Sequence, residues 1–326
     1  MDTTRSGDFR PTANWNALRA RAALLKKLRT FFDDSGFLEV TTPVLSADTV
    51  IDLHLDPLQV TKFSDPLQPD VGPTWFLQTS PEFHMKRLLA AGAEAIYQIG
   101  PAFRGAESGP IHNIEFTMIE WYRVGDDMAE GMQFLSEIAC LIFETEMPGR
   151  VSYAEAFQRH VGLNPHTAAT EELKSAGVSD RPAIHGDTRT EATNFLWSHF
   201  VEPKLGTEKP ALIYDYPADQ AALARVRQDT IPVAERFELY YRGIELANGY
   251  HELTDPQEFR LRAEETNRQR VVEGKPPLPT ESRLGQAMRS GIPPSVGVAL
   301  GFDRAMMVVN GSKNLQDVMA FPENIA

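Results

Sequence analysis

Residues 103–123 read FRGAESGPIHNIEFTMIEWYR. The stretch begins with Phe103 and Arg104, passes through a short polar loop containing Gly105, Gly109 and Pro110, and ends in a run that alternates from Glu115 onward. Turn residues followed by alternation mark a loop that enters a β-strand. In such a strand Glu115, Thr117, Ile119 and Trp121 share one face, while Phe116, Met118, Glu120 and Tyr122 share the other. A half-buried strand gathers its apolar residues on one side, yet Glu120 sits among Phe116, Met118 and Tyr122. A buried carboxylate is costly without a partner. A satisfied core acid is one reading; a pocket that binds a cation explains the pattern better.

The flanking sequence frames this strand. AIYQIGPAF (95–103) is a strand that leads into Arg104. WFLQTSPEFHMKRLLAAG (75–92) is a strand-to-helix junction. There Ser80 can cap, Pro81 suits the first helical position, Glu82 suits the positive helix end, and Gly92 ends the helix. Residues 17–35 place Leu18, Ala22, Leu25, Leu28 and Phe32 on one helical face, with Gly36 at the C-terminal stop. FLEVTTPVL (37–45) reads as a strand interrupted by Pro43, and IDLHLDPLQV (51–60) as another with a turn at Asp56-Pro57. Helices are expected over 128–146 and 152–162, and a charged surface helix over 256–275. Residues 165–210 carry short helices and loops at most.

Two further stretches hold chemistry. In ERFELYYRGIELANGYHEL (235–253) a two-residue turn at Arg242-Gly243 sets Tyr240 opposite Glu245, with Glu238 on the same face. Carboxylates paired in this way, together with phosphate oxygens, are a common way to hold Mg²⁺. Two solvated acids on an edge hairpin fit the spacing equally well. Asn248, Tyr250 and Glu252 share a face among themselves, and they join Glu245 only if the strand bulges or twists near Gly249. In GVALGFDR (297–304) the small residues Gly297, Ala299 and Gly301 leave room beside a strand, and Arg304 opens a helix. Walker and G-x-G-x-x-G fingerprints are both absent, so this stretch alone reads as strand packing with a surface arginine.

The bulk numbers exclude other classes. The chain has 326 residues, 42% hydrophobic and 24% charged, with a net charge of −13. An acidic total argues against a surface made mainly to wrap nucleic acid. There is no apolar run near the ~18 residues of a membrane span, and the N-terminus lacks the apolar segment of a secretory signal. The lone Cys140 lies in an apolar helical setting and reads as a buried structural thiol. That usage fits a cytoplasmic protein. No internal repeat or linker is evident.

Taken in order, FLEVTTPVLS, FRGAESGPIHNIEFTMIEWY and GVALGFDR resemble motifs 1, 2 and 3 of the class II aminoacyl-tRNA synthetases in their lysyl version. TSPEFHMKRLL and VAERFELYYRGIELANGYHELTD bring the chain closer to the truncated lysyl-tRNA synthetase paralogues that act on elongation factor P. The resemblance runs from about Ala20 to Arg304. It implies an α+β fold: a class II catalytic core with a large antiparallel sheet flanked by helices, dimerising through motif 1 near Pro43. The stretch 1–16 is then an N-terminal extension, too short for a tRNA-reading domain, and 17–326 the catalytic domain.

The resemblance also implies an ATP-dependent, AMP-forming ligase. It would activate (R)-β-lysine or lysine and pass it to a lysine ε-amine of elongation factor P, with no tRNA and no membrane as partner. Arg104 and Arg304 would be catalytic, Arg104 holding the α-phosphate and the substrate carboxylate, Arg304 the γ-phosphate. The nucleotide site would comprise these two with Gly105, Ala106, Glu107, Asn113, Phe116 (stacking on adenine), Glu245, Leu246 and Gly301. The amino-acid pocket would comprise Ser80, Pro81, Glu82, Glu120, Tyr122, Asn248, Tyr250, Glu252 and Ala299. Glu238 and Glu245 would hold Mg²⁺. Three positions depart from the lysyl pattern. Ala106 stands where a glutamate is usual, leaving Glu107 for that role. Ile114 replaces a proline, which should loosen the loop's exit. Ala299 replaces a glycine, which points to altered selection near the amino acid. A tRNA-free amide synthetase is the alternative enzyme, but Glu82, Glu120 and Glu252 together argue against it. A regulatory paralogue without chemistry is the other alternative, against which stand Arg104, Glu238, Glu245 and Arg304.

Overall fold

The computed structural model describes residues 9–176 and 188–326. Part of the expected N-terminal extension and of the irregular 165–210 stretch lies outside the described residues. In chain order the first elements are α1 (Trp15–Asp34), β1 (Leu38–Glu39), β2 (Leu45–Ser46), β3 (Gln59–Thr61), β4 (Thr74–Leu77), α2 (Glu82–Ala90), β5 (Ala95–Phe103) and β6 (Glu115–Val124). Then come α3 (Met128–Phe143), β7 (Gly149–Ser152), α4 (Tyr153–Val161), α5 (Thr170–Ala176), α6 (Arg189–Leu196), β8 (Ala211–Pro217) and β9 (Val226–Arg227). The last are β10 (Val233–Tyr241), β11 (Ile244–His251), α7 (Pro256–Val272), α8 (Arg283–Ser290), β12 (Ser295–Gly301) and α9 (Phe302–Val309).

The chain packs as two compact units where the sequence suggested one domain. The first contains the described residues up to Gly125 with Thr254–Pro294 and Ala299–Ala326; the second contains Asp126–Leu253 with Ser295–Val298. In the first unit β5 and β6 form a long antiparallel pair in which Glu120 faces Gln98, and β1 joins β5 in parallel. A small antiparallel sheet runs in the order β2-β4-β3. The expected strand over 37–45 is therefore two short strands broken around Pro43, and that over 51–60 shrinks to β3 plus a bridge at Asp56. In the second unit β8, β10 and β11 are antiparallel, β9 adds to β10, and β7 joins β8 in parallel. The α+β class holds, with mixed rather than purely antiparallel strands.

Local chemistry explains the element ends. Asn14 caps α1 by accepting the N–H groups of Asn16 and Ala17, both at 2.9 Å. The buried face of α1 is Ala17, Leu24, Leu28 and Phe32. This face is rotated slightly from the expected one, and Ala22 is left exposed. Phe32 stacks on Tyr97 of β5 at a 4.4 Å centroid distance, which fixes the helix on the strand. Capping boxes at Asp127–Glu130 and Ser152–Glu155 start α3 and α4. Between β10 and β11, Arg242 and Gly243 both take positive φ, +54° and +71°, as a two-residue hairpin of the primed type requires. Cys140 is half-buried rather than buried, its Sγ lies 3.5 Å from the Met147 sulfur, and burial raises its pKa. It is a thiol of ordinary packing and not a poised nucleophile.

Candidate active site

The reading of β6 as half-buried is corrected first. Met118 through Tyr122 are all buried, so both faces of the strand are covered. The Glu120 side chain therefore lies in the interior and needs donors. Tyr122 Oη donates to Glu120 Oε1 at 2.6 Å, and Ser80 Oγ donates to Oε2 at 2.7 Å. Ser80 Oγ also accepts the Glu82 N–H at 3.0 Å, so the junction that starts α2 delivers its hydroxyl to the acid. Pro81 stands at the N-cap of α2 and leads into the buried Glu82. Burial, and then the charge of Glu82, raise the Glu120 pKa to about 7 against the hydrogen bonds from Tyr122 and Ser80 and the charge of Lys86.

Lys86, which the sequence reading passed over, is 2% exposed. Its Nζ lies 2.6 Å from Glu82 Oε1. The i,i+4 spacing of Glu82 and Lys86 was the available signal. The five groups thus form an interior set of two acids, one ammonium and two hydroxyls, with only Ser80 half-exposed.

The loop after β5 supplies cations. Its base closes through Arg104 N–H to Ile114 O at 2.9 Å, and its tip through the Gly109–His112 bridge. The Arg104 guanidinium sits over the Phe116 ring, 5.0 Å from the centroid, and its Nη1 is 3.8 Å from Glu107 Oε1. Ala106 has φ +61°, so this L-residue takes the left-handed conformation just before Glu107. Arg104 Nε is buried with no hydrogen-bond partner. An orphaned guanidinium donor beside an exposed loop suits an anionic ligand.

Arg304, in the first turn of α9, donates Nε–H to Ile111 O at 3.1 Å, and its Nη2 lies 2.6 Å from His112 Nε2. That contact requires a lone pair on Nε2, hence a neutral imidazole; burial, and then the Arg304 charge, lower the His112 pKa accordingly. Asp303 accepts the Thr117 N–H at 2.6 Å and pairs with Arg21, which also donates to Thr117 Oγ1 at 2.6 Å. Arg21 and Asp303 thus seat α9 on β6. Gly301 and Ala299, ahead of this helix, are both half-buried.

Asn113 is built into the loop frame. Its Nδ2 donates to Glu115 O at 2.6 Å and its Oδ1 accepts the Glu323 N–H at 3.0 Å. Each polar end of the side chain makes one bond to the frame and keeps one site, an amide hydrogen on Nδ2 and a lone pair on Oδ1.

In the second unit the hairpin register matches the sequence reading at Tyr240 opposite Glu245. The required bulge occurs at Leu246 and not near Gly249, for Leu239 pairs with Ala247 and Glu238 with Asn248. One extra residue reverses the parity of β11. Arg236, Glu238, Tyr240, Glu245, Asn248 and Tyr250 consequently share a face. Asn248 Nδ2 donates to Tyr250 Oη at 3.0 Å, while Asn248 Oδ1 is buried with no hydrogen-bond partner. Leu246 is 2% exposed, and the buried Glu252 leaves the hairpin to form a bridge with Ala224.

Glu238, expected to hold a metal, is surrounded by protein donors. Its Oε2 accepts from Tyr216 Oη at 2.5 Å and Tyr240 Oη at 2.6 Å, and its Oε1 from Arg236 Nη2 at 2.5 Å. Trp197 Nε1 extends the chain to Tyr240 Oη at 3.2 Å. A carboxylate has about four acceptor sites, so these three donors anchor Glu238 in the interior and leave one site on Oε1. The surface-like hairpin is corrected, for Glu238 is 3% exposed. Glu245 alone of the two is half-buried and accessible in part.

An arginine on the loop between two antiparallel strands, a third strand running into an arginine-bearing helix, and an acid-lined interior define a class. The chain matches the family model described as tRNA synthetases class II (D, K and N) over residues 3–325, and it belongs to that family. A relative in Yersinia enterocolitica serotype O:8, called elongation factor P--(R)-beta-lysine ligase, is 44% identical over 322 residues, covering 98% of both chains. Proteins of the same name in Yersinia pestis and Yersinia pseudotuberculosis are 43% identical over 324 residues, covering 98% of this chain and 99% of theirs.

Proposed function

We propose that this protein is an ATP-dependent ligase. It would activate a lysine-type amino acid as its adenylate and transfer the acyl group to a lysine ε-amine of elongation factor P. The observation that carries this reading is similarity along nearly the whole length of relatives bearing that name, not a shared motif alone. The residues agree with it. In the first step a carboxylate oxygen of the amino acid displaces pyrophosphate at the α-phosphorus; in the second the acceptor amine displaces AMP from the acyl carbon. The first step needs fixed cations aimed at the growing phosphoryl charge. Arg104, with its unpartnered Nε and its stack on Phe116, supports that role, and Arg304, held by His112 and Ile111, supports the γ-phosphate role. Phe116 remains the reading for the adenine stack, with Gly105, Ala106 and Glu107 around it.

The buried acids Glu82, Glu120 and Glu252, with Ser80, Tyr122, Asn248 and Tyr250, support recognition of ammonium groups. A metal, Mg²⁺ in the usual case, would neutralise phosphate charge when bound; the half-buried Glu245 of the hairpin would hold it, with the more deeply buried Glu238 beside it. A homodimer through motif 1 is consistent with exposed Leu38 and Pro43. No helix among the described residues is long and apolar enough to cross a membrane.

The test is exchange of pyrophosphate into ATP in the presence of lysine or (R)-β-lysine without tRNA, followed by mass spectrometry of elongation factor P. Amino-acid-dependent exchange with a mass gain on one lysine is expected. Exchange only on adding tRNA would overturn the tRNA-free reading, and none with either amino acid would favour a regulatory paralogue.

A further inference from the structure

Arg270 is 1% exposed and lies in the last turn of the charged helix α7. A guanidinium in so dry a position must spend its donors on the protein. Its Nε donates to Pro276 O at 3.1 Å and Nη1 to Asp52 O at 2.8 Å, while Nη2 donates to Asp56 Oδ1 at 2.9 Å. Lys275 supports the same segment from Nζ to Leu53 O at 2.6 Å and lies 3.6 Å from Asp56 Oδ2. The held segment, 52–56, has no sheet of its own beyond a bridge, and that bridge is with Gly105. Gly105 N–H donates to Asp56 O at 2.6 Å, and a Cβ on Gly105 would lie 3.0 Å from that oxygen. Only glycine admits so close an approach without displacing the backbone. Gly105 is the residue after Arg104.

We infer that Arg270 is a positioning residue for Arg104: through Asp56 it fixes the backbone of Gly105 and so sets where the neighbouring guanidinium meets the nucleotide phosphate. The fork is required because three acceptors of the segment in different directions define the path of residues 52–56: the Asp52 carbonyl, the Leu55 carbonyl 3.5 Å from Nη1, and the Asp56 carboxylate. An ammonium satisfies charge but not that geometry. This inference rests on Arg104 as the phosphate-binding residue.

The experiment measures amino-acid-dependent pyrophosphate exchange against ATP and against lysine separately, with thermal unfolding beside it, for Arg270→Lys, Asp56→Ala, their double variant and Arg104→Ala. Misplacing a reacting group by about an ångström costs up to roughly 100-fold. KM for ATP should rise about tenfold or more in Arg270→Lys and Asp56→Ala, with the unfolding temperature of Asp56→Ala unchanged. The double variant should be no worse than the weaker single, since both break one link. If buried Arg270→Lys fails to fold, Asp56→Ala carries the test alone, because the Asp56 side chain is 36% exposed. Unchanged KM for ATP in Asp56→Ala overturns the inference, as does a rise that comes only with a lower unfolding temperature. If Arg104→Ala itself leaves KM for ATP unchanged, the phosphate reading falls and the inference with it.

Discussion

Lys86 Nζ lies 2.6 Å from Glu82 Oε1, one turn apart on α2, and both residues are buried. Taking two charges out of water is costly, and the pair holds only because each cancels the other. Lys86→Met should therefore cost about 3–5 kcal/mol, as an uncompensated buried carboxylate is left behind. Adding Glu82→Leu to it should recover most of that loss. Urea denaturation of the two variants checks this; a single variant as stable as wild type would mean that Glu82 reaches water.

The Glu120 pKa of about 7, against an ordinary 4.5, gives a definite pH dependence. Between these values the folded state holds a proton that the unfolded state has released. Stability therefore falls as pH rises from 4.5 toward 7 and levels off above it, by on the order of 3 kcal/mol. Glu120→Gln should flatten that limb in chemical denaturation followed across pH. Binding a substrate ammonium needs the carboxylate, so KM for lysine should climb about tenfold per pH unit below 7. Tyr122→Phe removes a hydrogen bond that lowers the pKa and should move the limb to higher pH. A KM that is flat from pH 5.5 to 8 would mean that Glu120 is not the ammonium's partner.

Glu238 and Glu245 share a face of the hairpin but not an environment. Glu238→Gln would turn amide hydrogens toward donors already committed to it, Arg236 and two tyrosines. The loss should be one of stability, about 3–5 kcal/mol, as for breaking other buried pairs. Glu245→Gln should leave the unfolding curve nearly in place and raise the Mg²⁺ concentration needed for half-maximal exchange. Titrating Mg²⁺ against exchange for both variants separates the roles. A stable Glu238→Gln with weakened Mg²⁺ dependence would restore Glu238 as a ligand.

The hairpin also shows how far sequence reading reaches. A two-residue turn at Arg242-Gly243 counts outward without ambiguity, so Tyr240 opposite Glu245 was legible. The bulge was not, because Leu246 is as apolar as its strand neighbours and nothing in its type marks it as the extra residue. Strand alternation located Glu120, but the assumption of one wet face failed where both faces of β6 are covered. The burial of Glu238 was hidden because its donors, Tyr216 and Tyr240, are phenols whose convergence depends on strand pairing. Lys86 drew no reading at all, because only the packing around α2 buries it. Charge and spacing find candidate groups; which partners desolvate them is decided by tertiary contacts.

Ala299 lies half-buried in β12, two residues before Gly301. The lysyl synthetase pattern has glycine there, so this chain carries one additional methyl beside the proposed amino-acid site. Moving an amine from the α to the β carbon shifts occupied volume by a comparable amount. Ala299→Gly should therefore improve activation of α-lysine relative to (R)-β-lysine. Discrimination by one methyl group is worth about 1–3 kcal/mol, or roughly 10–200-fold. The effect belongs in the ratio of kcat/KM values, measured for both amino acids by pyrophosphate exchange under one set of conditions. Glycine in a strand interior also costs about 0.5–1 kcal/mol of stability, which thermal unfolding will register independently of the ratio. An unchanged ratio with that small loss would move substrate selection away from β12 and onto the acids Glu82, Glu120 and Glu252.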